Sequence, residues 1–488
     1  MEWRLRRLLA ALGGVAVAFG QAPLSAWPVA FVGLTIGVVL WARSNSARDA
    51  GWTGWVFGLG AFVVSLTWLA NPFLVEPWRH GWMIPFALFA MSGGLALFWG
   101  AAFYLAKRFD LGLAGLVALW GALELARGWV FTGFPWALPG YIWLDTPLAA
   151  LSAWSGPYGL TLISFALAAL AAAAVLRRNA PALLGFVVVA GALTTVGVIL
   201  DQPAPAPTDH VVRVVQPNAK QHLKWDPAYT DMFFDTALAL TPSRAADLVV
   251  WPETSIATPL DGAGRELVAV AQAAGKARAI VGLNRVDLWQ GYNSAILLDA
   301  TGAPEQIYDK RHLVPFGEYI PLPGLLETIG LQAFTARNGY GYSAGAAPVI
   351  FDTPIGRALP LICYEAIFPR DLRTESRPDY LLQITNDAWF GTYSGPQQSL
   401  AQARFRSIET GLPMVRAANT GISAIIDARG DVVASLPLGE AGAIEAALPQ
   451  PLPETPYARR GEWPVIVSFI ILLLIGGISR RVRTRSGY

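Results

Sequence analysis

Charge is scarce in this chain. Asp, Glu, Lys and Arg make up 14% of the 488 residues, against roughly 25% in an ordinary soluble domain. Mean hydropathy is +0.43. The shortage excludes a protein that is soluble throughout, and 54% hydrophobic residues exclude intrinsic disorder. Cysteine is all but missing: Cys363 stands alone, so no intramolecular disulfide can form. There are four histidines, His80, His210, His222 and His312. None sits in an H-E-x-x-H pattern or a Cys/His cluster, so no metal is expected. No Walker A loop is present, and no cofactor is expected. A net charge of +2 leaves no reason to expect nucleic acid as a partner.

What the chain has in plenty is apolar sequence, unevenly spread. Residues 1–200 are almost continuously apolar and 464–479 are apolar again, while 205–460 reads as a globular domain with charges and turns. A membrane span takes roughly 17–25 apolar residues. Spans are expected near 8–22, 25–42, 53–70, 83–106, 111–131, 157–176, 182–200 and 464–479, about eight in all. Basic residues cluster on one side of this series. Arg4, Arg6 and Arg7 precede the first span, Arg43 and Arg48 follow the second, and Lys107 and Arg108 follow the fourth. Arg177 and Arg178 follow the sixth, and Arg480, Arg481, Arg483 and Arg485 follow the eighth. The intervening loops carry little beyond Arg79 and Arg127. By the positive-inside rule both termini are cytoplasmic and 205–460 lies on the outer side. The Arg-rich start also fits a signal peptide, which leaves the rest of the topology unchanged.

Two features of the apolar block stand out. Segment 127–156 is aromatic and broken by Pro and Gly; it reads as an interfacial belt, with a lipid-facing access route for an acyl chain as the sharper alternative. Glu124 and Arg127 are three residues apart at the end of a span, in position to pair with each other.

The region 205–460 alternates short β runs with helical stretches. Strands are expected at 211–218, 247–253, 277–284, 293–300, 348–354, 357–365, 380–387 and 423–436, and helices at 228–240, 262–276 and 396–411. Apolar runs bounded by turn residues imply buried sheets with helices outside, an α/β class.

Three residues at or near strand ends carry reactive groups: Glu253 in LVVWPETS, Lys310 in IYDKRHLVPFGEY and Cys363 in LPLICYEAIFP. Singly, each has an ordinary reading: a helix cap, a solvated surface charge, a small buried hydrophobe. Together they supply what thiolate chemistry needs. Cys363 is a nucleophile, Glu253 a carboxylate able to take and return its proton, and Lys310 a cation for the oxyanion. A nearby Lys310 is expected to raise the thiolate fraction. Glu318 in PFGEY is a second carboxylate placed to assist. A Cys363–His312 dyad is the competing arrangement.

The motifs WPE (251–253), YDKRHLVPFGEY (308–319) and ICYE (362–365) resemble the Glu-Lys-Cys motifs of the nitrilase superfamily. With seven spans before the domain and one after, the chain resembles the apolipoprotein N-acyltransferase family, the integral-membrane branch of that superfamily. VVQPNAKQHLKWD (214–226), YNS (292–294), TNDAWFG (385–391) and RFRSIETGLPMVRAANTGISAIID (404–427) carry the likeness along almost the whole chain. The resemblance implies a polytopic helical membrane domain (1–204), a periplasmic nitrilase-like αββα sandwich (205–460), and a last span with a basic tail (461–488), in a bacterial inner membrane. It implies Glu253 as general base, Lys310 as oxyanion stabiliser and Cys363 as nucleophile. By the same likeness Glu318, Trp225, Tyr364 and Glu365 support or shape the site, Trp389 lies in a matching loop, and Asn386 and Asn419 are structural. The implied substrates are a phospholipid acyl donor, phosphatidylethanolamine first, and a diacylated apolipoprotein acceptor. A membrane-tethered amidase or nitrilase using water is the alternative enzyme. A transporter with a degenerate binding domain is the alternative of another class, and the scarcity of charge within the spans argues against it.

Overall fold

A computed structural model describes residues 3–321 and 341–485, with side chains placed as far as Ile478 at the C-terminal end. The side chains of Arg480, Arg481, Arg483 and Arg485, expected in the basic tail, lie outside the described residues. The chain forms two compact units. One takes Met1–Pro203, Tyr393–Thr410 and Glu454–Tyr488; the other takes Ala204–Thr392 and Gly411–Pro453.

The first unit is helical. A helix lies at each of the eight apolar segments: Trp3–Ala18, Trp27–Ala42, Ala47–Ser65, Ile84–Arg108, Gly112–Arg127, Ser152–Arg177, Ala180–Leu200 and Trp463–Arg485. Among the described residues three helical stretches, Pro77–Arg108, Pro147–Arg177 and Ala180–Leu200, are long and apolar enough to cross a membrane. A fourth qualifies if Ala47–Ser65 and Thr67–Leu74, bent by 49°, count together. Helix ends follow local chemistry. The Ser46 hydroxyl accepts from the Asp49 amide, and Asn179 Oδ1 accepts from the Ala182 amide, each capping a helix start. Ala180–Leu200 buries only Gly197. So exposed an apolar helix is stable in hydrocarbon, not in water.

Close packing in this unit relies on small residues. A Cβ on Gly14 would stand 2.0 Å from the Phe57 carbonyl oxygen, so only glycine lets these helices approach. The interior is aromatic: Trp120 stacks on Phe165 with ring centres 3.9 Å apart. Glu124 and Arg127 are buried and paired, Arg127 Nη2 lying 2.6 Å from Glu124 Oε2. Trp99 donates to the same carboxylate at 2.5 Å, and Arg127 donates to the Phe134 and Trp136 carbonyls.

The second unit is built on two six-stranded sheets. The strands are β1 (Pro207–Gln216), β2 (Leu248–Val250), β3 (Arg278–Asp287), β4 (Gln290–Leu298), β5 (Pro304–Asp309), β6 (Phe351–Thr353), β7 (Gly356–Ile362), β8 (Tyr380–Thr385), β9 (Met414–Ala418), β10 (Ala424–Ile426), β11 (Val432–Ser435) and β12 (Gly442–Pro449). They order as β12-β1-β2-β3-β4-β5 and β11-β10-β9-β8-β7-β6. The centre of each sheet is parallel, β1 to β3 in one and β7 to β9 in the other, and the margins are antiparallel. Strand residues alternate between two cores, as a period of two requires. Val212, Val214, Leu248, Val250 and Ile280 meet Ile362, Leu382, Ile384, Val415 and Ile425 between the sheets. Val215, Val249, Trp251, Ala279 and Val281 face the other way, into a core shared with helices Pro227–Ala239 and Gly264–Ala274.

The expected strand 423–436 is two strands. Asp427 N–H bonds to the Asp431 carbonyl at 2.9 Å, and Gly430 takes φ +83° to close the hairpin between β10 and β11. Strands β5, β9 and β12 were not anticipated. The helix Gly395–Thr410, expected at 396–411, is present and packs within the first unit.

Candidate active site

Three of the parallel strands end in the residues that matter. Glu253 follows β2, Cys363 follows β7 and Asn386 follows β8, so the loops at the carboxyl ends of the parallel strands form the site. Lys310 follows β5, its backbone N–H bonded to the Asn293 carbonyl on β4 at 2.8 Å.

Two of these turns hold residues in the left-handed region, Cys363 at φ +52° and Thr254 at φ +45°. Non-glycine residues adopt it at a cost, and such positions cluster at functional sites. At Cys363 this conformation ends the strand abruptly and keeps the residue half-buried rather than sealed in the core. Beside Glu253, β3 must pass very close. A Cβ on Gly282 would lie 2.7 Å from Glu253 Cα and 2.6 Å from the Pro252 oxygen, so glycine at 282 makes room for the turn.

The cluster itself is tightly bonded and buried. Lys310 Nζ lies 2.8 Å from Glu318 Oε1 and 4.0 Å from Glu253 Oε1. Asn293 Nδ2 donates to Glu253 at 2.6 Å and to Glu318 at 3.3 Å. The backbone N–H of Asn386 donates to Glu253 Oε2 at 2.7 Å, and that of Val314 to Glu318 Oε2 at 2.8 Å. Burial works against the Lys310 charge, but Glu318, Cys363 and Glu253 outweigh it and hold the ammonium above the usual lysine range.

Lys310 acts on the Cys363 thiol in the expected direction, but it does not act alone. Burial, and after it the negative Glu253, push the thiol well above its ordinary value; Lys310 acts in the other direction and is outweighed. The resting group is therefore a thiol with a carboxylate as neighbour, not a standing thiolate.

Glu365 ties the Lys310 and Cys363 turns together. One of its oxygens accepts from the Ile362 N–H at 2.7 Å. The other accepts from the Arg311 N–H at 2.7 Å, the His312 N–H at 3.1 Å and the Tyr308 hydroxyl at 2.7 Å. Ile362 precedes Cys363 and Arg311 follows Lys310, so one buried carboxylate staples both turns. Burial still raises its carboxyl above the usual range.

The remaining expected residues are more peripheral. Tyr364 is buried edge-on against Phe368 and His312, ring centres 5.0 and 5.7 Å away. Trp225 is half-buried, 5.6 Å from Lys224 Nζ, and Trp389 is half-buried in the turn after β8. Asn419 bonds Ala219 in both directions and donates to Asn386 Oδ1 at 2.9 Å, locking two loops of the site. His312 is engaged elsewhere: its Nδ1 lies 2.8 Å from Asp371 Oδ2 and its ring stacks on Phe368. That favours Glu253 over His312 as the partner of Cys363. Asn293 and Lys224 received no role from sequence reasoning, although YNS and LKWD flagged their segments. Among the described residues no three His, Cys, Asp or Glu side chains cluster as a metal site would require.

Such an arrangement can activate a thiol, hold an anion next to a buried ammonium and return a proton to a leaving group. Residues 211–456 match the carbon-nitrogen hydrolase family model, and residues 13–173 match that of the apolipoprotein N-acyltransferase N-terminal domain. The chain is 36% identical to the apolipoprotein N-acyltransferase of Caulobacter vibrioides over 97% of this chain and 94% of that protein. It is 37% identical to that of Sinorhizobium fredii over 98% of this chain and 96% of that protein. A solved CN-hydrolase superfamily protein from Xanthomonas campestris aligns with 53% of this chain and 97% of its own, at 20% identity and a TM-score of 0.39.

Proposed function

The chain belongs to the apolipoprotein N-acyltransferase family, and from that premise we propose that it moves an acyl chain from a membrane phospholipid, phosphatidylethanolamine first, to the α-amine of the diacylglyceryl-cysteine that begins an apolipoprotein. The observation that carries the reading is the buried Lys310 ammonium, set between two carboxylates and coupled to the only thiol in the chain.

In the first half-reaction Glu253 takes the Cys363 proton as sulfur attacks the ester carbonyl. The C–S bond forms, and the oxyanion is met by Lys310. The C–O ester bond then breaks, the lysophospholipid oxygen takes the proton back from Glu253, and a thioester remains. In the second, the α-amine attacks the thioester, Glu253 takes the amine proton, the C–S bond breaks and the sulfur is reprotonated. An amide-linked product leaves, which makes the cycle ping-pong. Glu318 fixes Lys310, Glu365 fixes both turns, and Trp225, Tyr364 and Trp389 shape the surroundings.

Both substrates are anchored in a bilayer, so the site belongs at its surface. The five basic clusters favour eight spans, cytoplasmic termini and a periplasmic catalytic region at about 205–460 in the inner membrane. The test of the first half-reaction is intact-mass analysis after incubation with phosphatidylethanolamine. A hydroxylamine-labile acyl mass on the wild type, lost in Cys363→Ala, is expected. An adduct that survives that substitution would overturn the assignment.

A further inference from the structure

We propose that Lys224 is a positioning residue of this site, whose charge holds the turn presenting Glu253 and offsets the negative charge that develops around Cys363. Lys224 is buried, 6% exposed. Its Nζ donates to the backbone carbonyl of Glu253 at 3.1 Å and to the Thr254 hydroxyl at 2.7 Å. Thr254 is the residue held at φ +45°, so the ammonium fastens the strained turn from which the Glu253 side chain projects. The Trp225 ring lies 5.6 Å away.

Both hydrogen-bond acceptors are neutral oxygens. An ammonium buried against neutral acceptors is costly, and a methionine of similar length would avoid the cost. The charge has a use, however. Glu253 and Glu318 set two negative charges against the one positive charge of Lys310, and passing the Cys363 proton to Glu253 only moves the unbalanced negative charge onto the oxyanion. Lys224 brings that sum to zero. The titratable groups that couple to it are Glu253 and Cys363. The other walls of its small cleft, Thr230, Phe233, Ser255 and Asn419 among them, carry no charge. Burial lowers the Lys224 ammonium to about 8, with Glu253 and Cys363 acting in the other direction. Its charge is therefore present at neutral pH and lost as the pH rises through that value.

The rate arm of the test rests on the acyl-transfer reading; the other arm does not. Full-length wild type, Lys224→Arg and Lys224→Met are compared in detergent between about pH 6 and about pH 9.5. The first readout is the rate of Cys363 alkylation by iodoacetamide, followed by mass. The second is the rate of thioester formation from phosphatidylethanolamine. Thermal unfolding confirms that each variant is folded. Lys224→Met should alkylate about tenfold more slowly than wild type at neutral pH, a shift of about one pKa unit, while Lys224→Arg stays within about threefold. Wild-type acylation should fall above about pH 8, and Lys224→Arg, which keeps its charge, should lack that falling limb. Alkylation and acylation of folded Lys224→Met at wild-type rates across the range would overturn the proposal, as would equal losses in folded Lys224→Arg and Lys224→Met. If wild type takes up no acyl group while alkylation still separates the two variants, the acyl-transfer reading fails and the role of Lys224 stands.

Discussion

Lys310 Nζ sits 2.8 Å from Glu318 and 4.0 Å from Glu253, so Glu318 is its direct partner. In the proposed cycle the two carboxylates divide their work: Glu318 fixes the ammonium and Glu253 is left to exchange a proton. Glu318→Gln removes the fixing charge and frees Lys310 to close on Glu253. We expect single-turnover thioester formation to fall by about 10²-fold, the scale of losing one oxyanion donor, in a protein that stays folded. Unchanged acylation in Glu318→Gln would show that Lys310 needs no partner.

The raised thiol of Cys363 makes an opposed pair of predictions. Burial is the first cause and the negative Glu253 the second. Glu253→Gln removes the second cause, so the apparent pKa for iodoacetamide alkylation of Cys363 should fall and alkylation at neutral pH should quicken. The same substitution removes the proton acceptor, and acylation should drop by about 10²–10⁴-fold. An alkylation pKa that rises in Glu253→Gln would contradict the sign of the coupling.

Glu365 should be a positioning residue with a heavy structural share. Glu365→Ala strands the N–H groups of Ile362, Arg311 and His312, each costing about 1–3 kcal/mol when buried without a partner. A clear drop in Tm is expected, together with loss of acylation. Glu365→Gln keeps an acceptor oxygen and should retain most of the stability while still slowing acylation. The comparison is read by thermal unfolding and the thioester assay side by side.

In the helical unit the buried Glu124–Arg127 pair is a stability prediction. Removing one partner of a buried pair leaves an uncompensated charge and costs about 3–5 kcal/mol. Glu124→Ala should therefore lower thermal stability in detergent strongly. The double replacement of both residues by apolar ones of similar volume should recover much of the loss.

The site was more legible than some of the fold around it. WPE and ICYE each follow or end a strand whose apolar run is plain in the sequence, and turn chemistry marks the break, whereas YDK was legible as a motif although the strand that carries it was not. Three strands were hidden for identifiable reasons. Pro304–Asp309 is PEQIYD, with Pro and charge where an apolar run is expected. Met414–Ala418 carries Arg416, fully buried because Asp387 lies 2.6 Å away. Gly442–Pro449 is GAIEAALP, with three Ala and a single β-branched residue, Ile444, so the usual strand signal is weak. For the thiol, the influence of Lys310 was legible, but the burial and the nearness of Glu253 that outweigh it are tertiary properties. Lys224 was hidden in the same way, since LKWD shows a lysine and only the fold shows what its nitrogen holds.

The central claim is transfer from Cys363 to an amine. Wild-type protein carrying the acyl thioester is mixed with a diacylglyceryl-cysteine peptide bearing a free α-amine, and in parallel with the same peptide N-acetylated, and both peptides are weighed by mass spectrometry. The account predicts one added acyl chain on the free peptide, loss of the thioester at the same rate, and no change in the blocked peptide. Release of free fatty acid at equal rates in both mixtures, with neither peptide gaining mass, would contradict it and point to a hydrolase that uses water.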